Sequence, residues 1–158
     1  MSSPVSPDAD ARSAGLLERI SNEMVRAQKQ FFGKGPEEAK SYLVDDLLFI
    51  VMRGGMTTAE KTMLEFGQAD QVRQFRQLFE NEMTQRLTEM IERLTGRRVL
   101  TYQSQVMFDP DIVVEIFVFD APVDRSRQAA TGARQVADEA IGAATDAEAL
   151  DDPSTAGQ

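Results

Sequence analysis

The chain of 158 residues contains no cysteine, no histidine and no tryptophan. Without cysteine there is no disulfide, thiolate zinc site, iron–sulfur cluster or cysteine nucleophile, and without histidine the commonest metal ligand and general base are missing. Long apolar runs are missing too. The longest, Leu47 to Met52, has six residues, whereas a helix that crosses the hydrocarbon core needs roughly 20, so no membrane insertion is expected. Positive charge is scarce: 17 Lys and Arg face 26 Asp and Glu, a net charge of −9. That balance argues against a protein that neutralises nucleic-acid phosphates or sits electrostatically on anionic lipid. Met1 to Arg12 offer neither the basic nor the apolar region of a secretory signal, which makes the cytoplasm the expected address.

What is present divides into three parts. The segment 121–158 is rich in Ala, Asp, Gly, Thr and Gln, and after Val123 its only branched apolar residues are Val136, Ile141 and Leu150. It carries three Arg against seven acidic residues and cannot offset its ordering entropy by apolar burial, so an acidic, Ala-rich disordered tail is expected. Residues 1–13 read as a similar disordered arm. Between them, 14–120 has the length and apolar content of one self-supporting core.

Inside that unit Leu17, Ile20, Met24, Ala27 and Phe31 share one face of a helix, with Ser13 as its expected cap and Gly33 and Gly35-Pro36 as its stop. Ala39 to Arg53 reads as two strands turned at Asp45-Asp46, a single bent strand being the alternative. Thr57-Thr58-Ala59-Glu60 is a capping box that opens a short helix. After Gly67, Asp70 is the expected cap of a long helix whose stripe is Val72, Phe75, Phe79, Met83, Leu87, Met90 and Leu94, closed by Gly96. Leu100 to Phe108 alternates as a strand with one wetter face does, and Ile112 to Phe119 is apolar on both faces, with Asp109-Pro110-Asp111 as the turn between them. The order α-β-β-α-α-β-β predicts an α+β fold, a four-stranded, mainly antiparallel sheet with three helices packed on it. Ile112 to Phe119 belongs at its centre or in a dimer interface, because an edge position would expose an apolar ribbon.

Few residues suggest chemistry. Gly33-Lys34-Gly35-Pro36 lacks the length and the Lys-Ser/Thr ending of a phosphate loop and follows a helix, so it reads first as a stop and turn, with an anion contact through Lys34, Gly35 and free amides as the sharper alternative. Arg97-Arg98 forms a basic cluster with Arg93; the plain reading is dipole complementation, the sharper one contact with an anion or acidic partner. The pairs Asp45-Asp46 and Asp109-x-Asp111 suit turns better than a cation site. Arg73 and Arg76 fall on predicted polar positions, the Met and Phe stripe reads as core, and Ser104 has no visible base. No catalytic residue, metal site or cofactor is nominated.

The order of motifs carries a resemblance. Gly33-Lys34-Gly35-Pro36, the Asp45-Asp46 strand region, Arg53-Gly54-Gly55-Met56-Thr57-Thr58-Ala59-Glu60, Val72-Arg73-Gln74-Phe75-Arg76, Leu94-Thr95-Gly96-Arg97-Arg98-Val99, and Asp109-Pro110-Asp111 with Glu115-Ile116-Phe117-Val118 closely resemble the MpsC-like domain. That is a family of small bacterial and archaeal proteins, formerly a domain of unknown function, and the resemblance spans about residues 14 to 120. It implies a small soluble companion of a Na+-translocating, membrane-potential-generating system, in which a large membrane subunit and a second subunit perform transport. Similar pairs take up inorganic carbon, so bicarbonate transport is in the implied range. The expected role is therefore a non-enzymatic accessory or regulatory homodimer, peripheral at the inner face of the membrane, that meets transporter subunits through Lys34, Gly35, Arg97 and Arg98. A small-anion or nucleotide sensor is the alternative. Two departures stand out: Thr58, where many members are expected to carry Pro, and the acidic tail.

Overall fold

The structure, a computed structural model, describes residues 7–124, with side chains from residue 14. The first helix, α1, spans Pro7–Phe32. Pro7 suits a first helical position, where its missing N–H would have no partner anyway. The helix therefore starts six residues ahead of the expected cap: Ser13 lies inside it, and the expected arm is shortened. At the other end Gly33, in the left-handed region at φ 74°, donates its amide to Lys29 O at 2.9 Å, which closes the helix as the Gly-Pro signal predicts.

Two strands follow, β1 (Glu38–Val44) and β2 (Leu47–Arg53), paired antiparallel through the two-residue turn Asp45-Asp46. Asp45 takes φ 53°, a conformation Asp tolerates better than most residues. Helix α2 (Thr58–Glu65) opens on the expected capping box, with Glu60 N donating to Thr57 Oγ1 at 3.3 Å and Thr57 N to Glu60 Oε2 at 2.8 Å. Helix α3 (Ala69–Thr95) has Gln68 at its N-cap position and no side-chain cap. Asp70 sits in its first turn instead, where its charge still complements the helix dipole. Strands β3 (Val99–Met107) and β4 (Ile112–Phe119) form a hairpin over Asp109-Pro110-Asp111.

All pairings are antiparallel and the strand order is β1-β2-β4-β3, so the apolar β4 is central, one of the two places its sequence allowed. Helices α1 and α3 pack on one face of this α+β sheet. Their stripes, including Ile20, Met24, Leu87 and Ile91, meet Leu48, Ile50, Phe117 and Phe119 in a single core. Each such side chain, fully buried, contributes about 1.5–3 kcal/mol. The core ends later than the composition suggested: Val123 is buried in it, and its amide donates to Asp45 O at 3.4 Å. The expectations for the tail beyond 124 and for residues 1–6 lie outside the described residues.

Gly54 ends β2 at φ 71°, with its amide donating to Asp111 O at 3.2 Å. A Cβ there would come within 2.8 Å of the Glu37 side chain. Since Glu37 can swing away, the left-handed backbone sets the cost, and Gly54→Ala should lower stability by about 1 kcal/mol in a denaturant titration.

Candidate functional site

The long helix departs from its apolar stripe in its first half. The buried positions there are Val72, Arg76 and Glu80, which lead into Met83 and Leu87, while Phe75 is 46% exposed. Arg76, expected on a solvated face, is 3% exposed. The reason is a partner on α2. Arg76 Nε donates to Glu60 Oε1 at 2.8 Å and its Nη2 to Glu60 Oε2 at 2.7 Å, a two-pronged pair that holds both groups. Nη2 also reaches Gly55 O at 3.3 Å, and the guanidinium lies 4.5 Å from the centre of the Phe32 ring. Glu60 thus does two jobs, capping α2 and neutralising α3. Burial pushes its carboxyl up, but the hydrogen bonds from Arg76 and Thr57 and the Arg76 charge outweigh that and hold it below the ordinary 4.5.

The displaced aromatic residues line a cleft between the end of α1, α2 and the start of α3. Its volume is about 480 Å³, and its walls include Phe31, Phe32, Met63, Phe75 and Phe79, with Glu60 among the few polar groups. Phe79 stacks obliquely on both Phe32 and Phe75, with centroids 4.9 Å apart in each case. This is the size of small-molecule sites, in the usual mix of apolar walls and few polar groups.

Deeper in, where α3 faces β3 and β4, lies a second polar group. Ser104 Oγ donates to Glu80 Oε1 at 2.8 Å, and Tyr102 Oη donates to Glu115 Oε2 at 2.6 Å. Glu115 is 1% exposed, with the Tyr102 ring stacked on Phe117 beside it. Burial pushes the Glu115 carboxyl up to about 7, with the Glu80 charge adding to the rise and the bonds from Tyr102 and Ser104 and the Arg76 charge working against it. Burial raises Glu80 as well, and raises the Tyr102 hydroxyl. The cluster can bind and release a proton near neutrality. It cannot exchange that proton with a bound substrate, because the carboxyl has no exposed surface to present. Sequence reasoning passed over these residues, yet one signal was there: Glu115 is the lone charge inside an eight-residue apolar strand.

The residues nominated from the sequence fall in two places. Register puts Glu38, Arg53, Ile112 and Met107 at one end of the sheet, and here Lys34 Nζ donates to Met56 O at 3.0 Å while Met56 N donates to Asp111 Oδ2 at 3.0 Å. A Cβ added at Gly35 would come within 3.4 Å of Val25 and 3.5 Å of Lys29 of α1. Arg97 and Arg98 lie at the other end, where Arg97 Nε donates to Pro122 O at 3.0 Å and Asp120 N to Arg98 O at 3.0 Å. Seven residue steps along β4 separate the two ends by about 23 Å. Lys34 and Gly35 therefore do not form one surface with Arg97 and Arg98, as an unfolded reading of the chain allowed. Both Asp pairs sit in turns, and Ser104 has the carboxylate of Glu80 beside it but no general base with access to a substrate. Among the described residues no group of three or more Asp or Glu is arranged to hold a metal ion.

The comparisons with known proteins bear on the whole domain. Over 111 residues, 68% of this chain and 91% of the relative, the sequence is 25% identical to the uncharacterized protein YrhF of Bacillus subtilis (strain 168). No solved structure matches the chain significantly. The family model described as the Na+-translocating membrane potential-generating system (MpsC) matches residues 13–121, from inside α1 to just past β4. That span takes in the capping box, the buried Arg76–Glu60 pair, the Glu115 cluster and both ends of the sheet, and the chain belongs to the MpsC family.

Proposed function

We propose that this chain is a non-catalytic accessory or regulatory protein of a membrane cation- or bicarbonate-translocating system, acting as a homodimer bound peripherally at the inner face of the membrane. The observation that carries the reading is the family match across the whole compact domain. Two features support it. None of the described helices is long and apolar enough to cross a membrane, so contact with a transporter must run through a surface. The buried polar groups are arranged to hold the fold rather than to attack a substrate. Arg97 and Arg98, at the sheet end opposite Lys34, are the basic pair offered to an acidic segment of the transporter, with Arg98 exposed.

The double substitution Arg97→Glu, Arg98→Glu should abolish co-purification with membrane subunits from native membranes at low salt. It should leave the circular dichroism unchanged and lower the melting temperature only slightly, because Arg98 is a surface charge and Arg97 gives up one exposed hydrogen bond to Pro122 O. Undiminished co-purification would remove that surface from the reading.

The cleft favours one further reading, a small-ligand sensor. Its aromatic walls, with Glu60 already paired to Arg76, suit an apolar molecule or a lipophilic cation over the rings better than the anion suggested by Lys34, whose ammonium is already bonded to Met56 O. Calorimetric titration with a lipophilic cation, bicarbonate and nucleotides separates the two classes: saturable heat with the first, lost in Phe75→Ala, favours the cleft.

A further inference from the structure

The described helices α1 and α3 cover one face of the sheet, and no described element covers the other. Its register places Tyr42, Phe49, Ile116 and Gln103 in one row and Lys40, Val51, Val114 and Gln105 in the next, with Val44, Leu47, Val118 and Thr101 beyond. All of these alternate with the core-facing residues, and among the described residues no element lies over them. Tyr42 is 44% and Val44 55% exposed. On the two central strands three successive rows are apolar, Leu47, Phe49 and Val51 on β2 with Val118, Ile116 and Val114 on β4, and Arg53 stands beyond them at the end of the face.

We infer that this sheet face is where two copies of the chain pack together, face to face. The inference rests on the homodimer reading above and assigns its interface. Four strands about 4.8 Å apart and roughly 23 Å long give a footprint on the order of 440 Å². That lies within the range of the largest patches on a monomer, and its two central strands, about half of it, are the apolar part. Two such footprints total on the order of 900 Å² before the relief of the side chains is counted, against roughly 1,200 Å² for the smaller stable interfaces. Charge fits a self-complementary contact as well. The central strands carry none between Leu47 and Met52 on this face, and the ionic groups stand at the margin: Lys40 over the Tyr42 ring and the Arg53–Glu38 pair at 3.9 Å. Two copies related by a two-fold axis would set the apolar central rows on one another, at the ~10 Å spacing of stacked sheets, with Lys40, Glu38 and Arg53 at the rim of the contact. The chain's own segment beyond residue 124 is a poor cover, because Val136, Ile141 and Leu150 are too few to fill three rows.

The test uses the full chain in analytical ultracentrifugation from low micromolar concentration upward, with three comparisons. Wild type should sediment as a dimer. Ile116→Lys, which would bury two unpaired ammonium groups per dimer, should weaken association by about 100-fold or more with the circular dichroism kept. Should that variant fail to fold, the milder pair Val51→Thr, Val114→Thr, which keeps β-branched shape, decides by the same shift toward monomer. Because the chain has no cysteine, Phe49→Cys gives one defined attachment point, and a short bis-maleimide should join two copies there but not through an exposed α3 position such as Gln77→Cys. A wild-type dimer that survives both interface variants and does not crosslink at position 49 would place the interface elsewhere, overturning this inference while leaving the homodimer. A wild type that stays monomeric would overturn both.

Discussion

Replacing Arg76 by Ala should cost about 3–5 kcal/mol, as much as truncating a large side chain of the apolar core. The reason is not the energy of the pair itself, since a buried ion pair often does no better than apolar residues of the same size. It is what remains behind. With Arg76 gone, the Glu60 carboxylate stays buried beside α2 and loses two charge-assisted bonds of 2.8 and 2.7 Å, and Gly55 O loses its donor. Urea titration at pH 7 checks the size of the loss. The double variant Arg76→Met, Glu60→Gln should recover a large part of it, because it removes the orphaned charge while filling the space and keeping an acceptor for the Thr57 amide. Arg73→Ala, whose guanidinium is exposed and donates to Val106 O at 3.1 Å, is the matched control and should cost less than 1 kcal/mol. A cost for Arg76→Ala as small as the control's would mean that α2 is not tied to α3 by this pair.

The second large effect is a pH dependence of unusual sign. Glu115 titrates near 7 in the fold against an ordinary value of 4.5. Below 4.5 the carboxyl is protonated both folded and unfolded, and costs nothing. Between 4.5 and about 7 the unfolded chain releases its proton while the folded chain keeps it, so stability falls as pH rises, by on the order of 3 kcal/mol in total. Glu80, raised by burial, works in the same direction. Glu60, held below its ordinary value, works in the opposite one: its contribution is present above 4.5 and is lost as pH falls through its folded value. The variant Glu115→Gln mimics the protonated acid. It should leave the melting temperature near pH 4.5 almost unchanged and raise it at pH 8, flattening the fall seen in wild type. A wild-type profile with no decline between pH 5 and 8, or a Gln variant less stable than wild type at pH 8, would mean that Glu115 is ionised and well satisfied in the fold.

The element order and the family were legible in the chain because both rest on local patterns. Spacing of three and four set the helices, alternation set the strands, and the Thr57–Glu60 box is a contact between residues three apart. Its hydrogen bonds follow from chain geometry alone. Asp70 and Ser13 misled for a related reason. Either residue can cap a helix, but where a helix starts depends on what its first turns pack against, and here Pro7 and Ala69 open the helices instead.

The candidate site was hidden by the same limit. A helical stripe read by hydrophobicity selects Phe75 and Phe79 over Arg76, since nothing in the local sequence reveals that a carboxylate sixteen residues earlier will sit 2.7 Å from the guanidinium. Once that pair forms, Arg76 can be buried and the neighbouring Phe residues turn outward to wall a cleft. Glu115 was visible as a lone charge in an apolar strand, but its environment needed the β3–β4 register that sets Ser104 opposite it and the fold that brings Glu80 over both.

The sequence by itself determined the α+β order, the turn at Asp109-Pro110-Asp111 and the family, and it narrowed β4 to the sheet centre or a dimer interface and Asp45-Asp46 to a turn between two strands or a bend in one; the fold chose the centre and the turn. These depend on periodicity and on short-range sterics. Only the tertiary structure decided that Lys34 and Arg97 stand at opposite ends of the sheet, that three glutamates and one arginine share the interior, and that no described element covers one face of the sheet. Those outcomes depend on which distant surfaces meet, and burial changes what a side chain does far more than its position along the chain does.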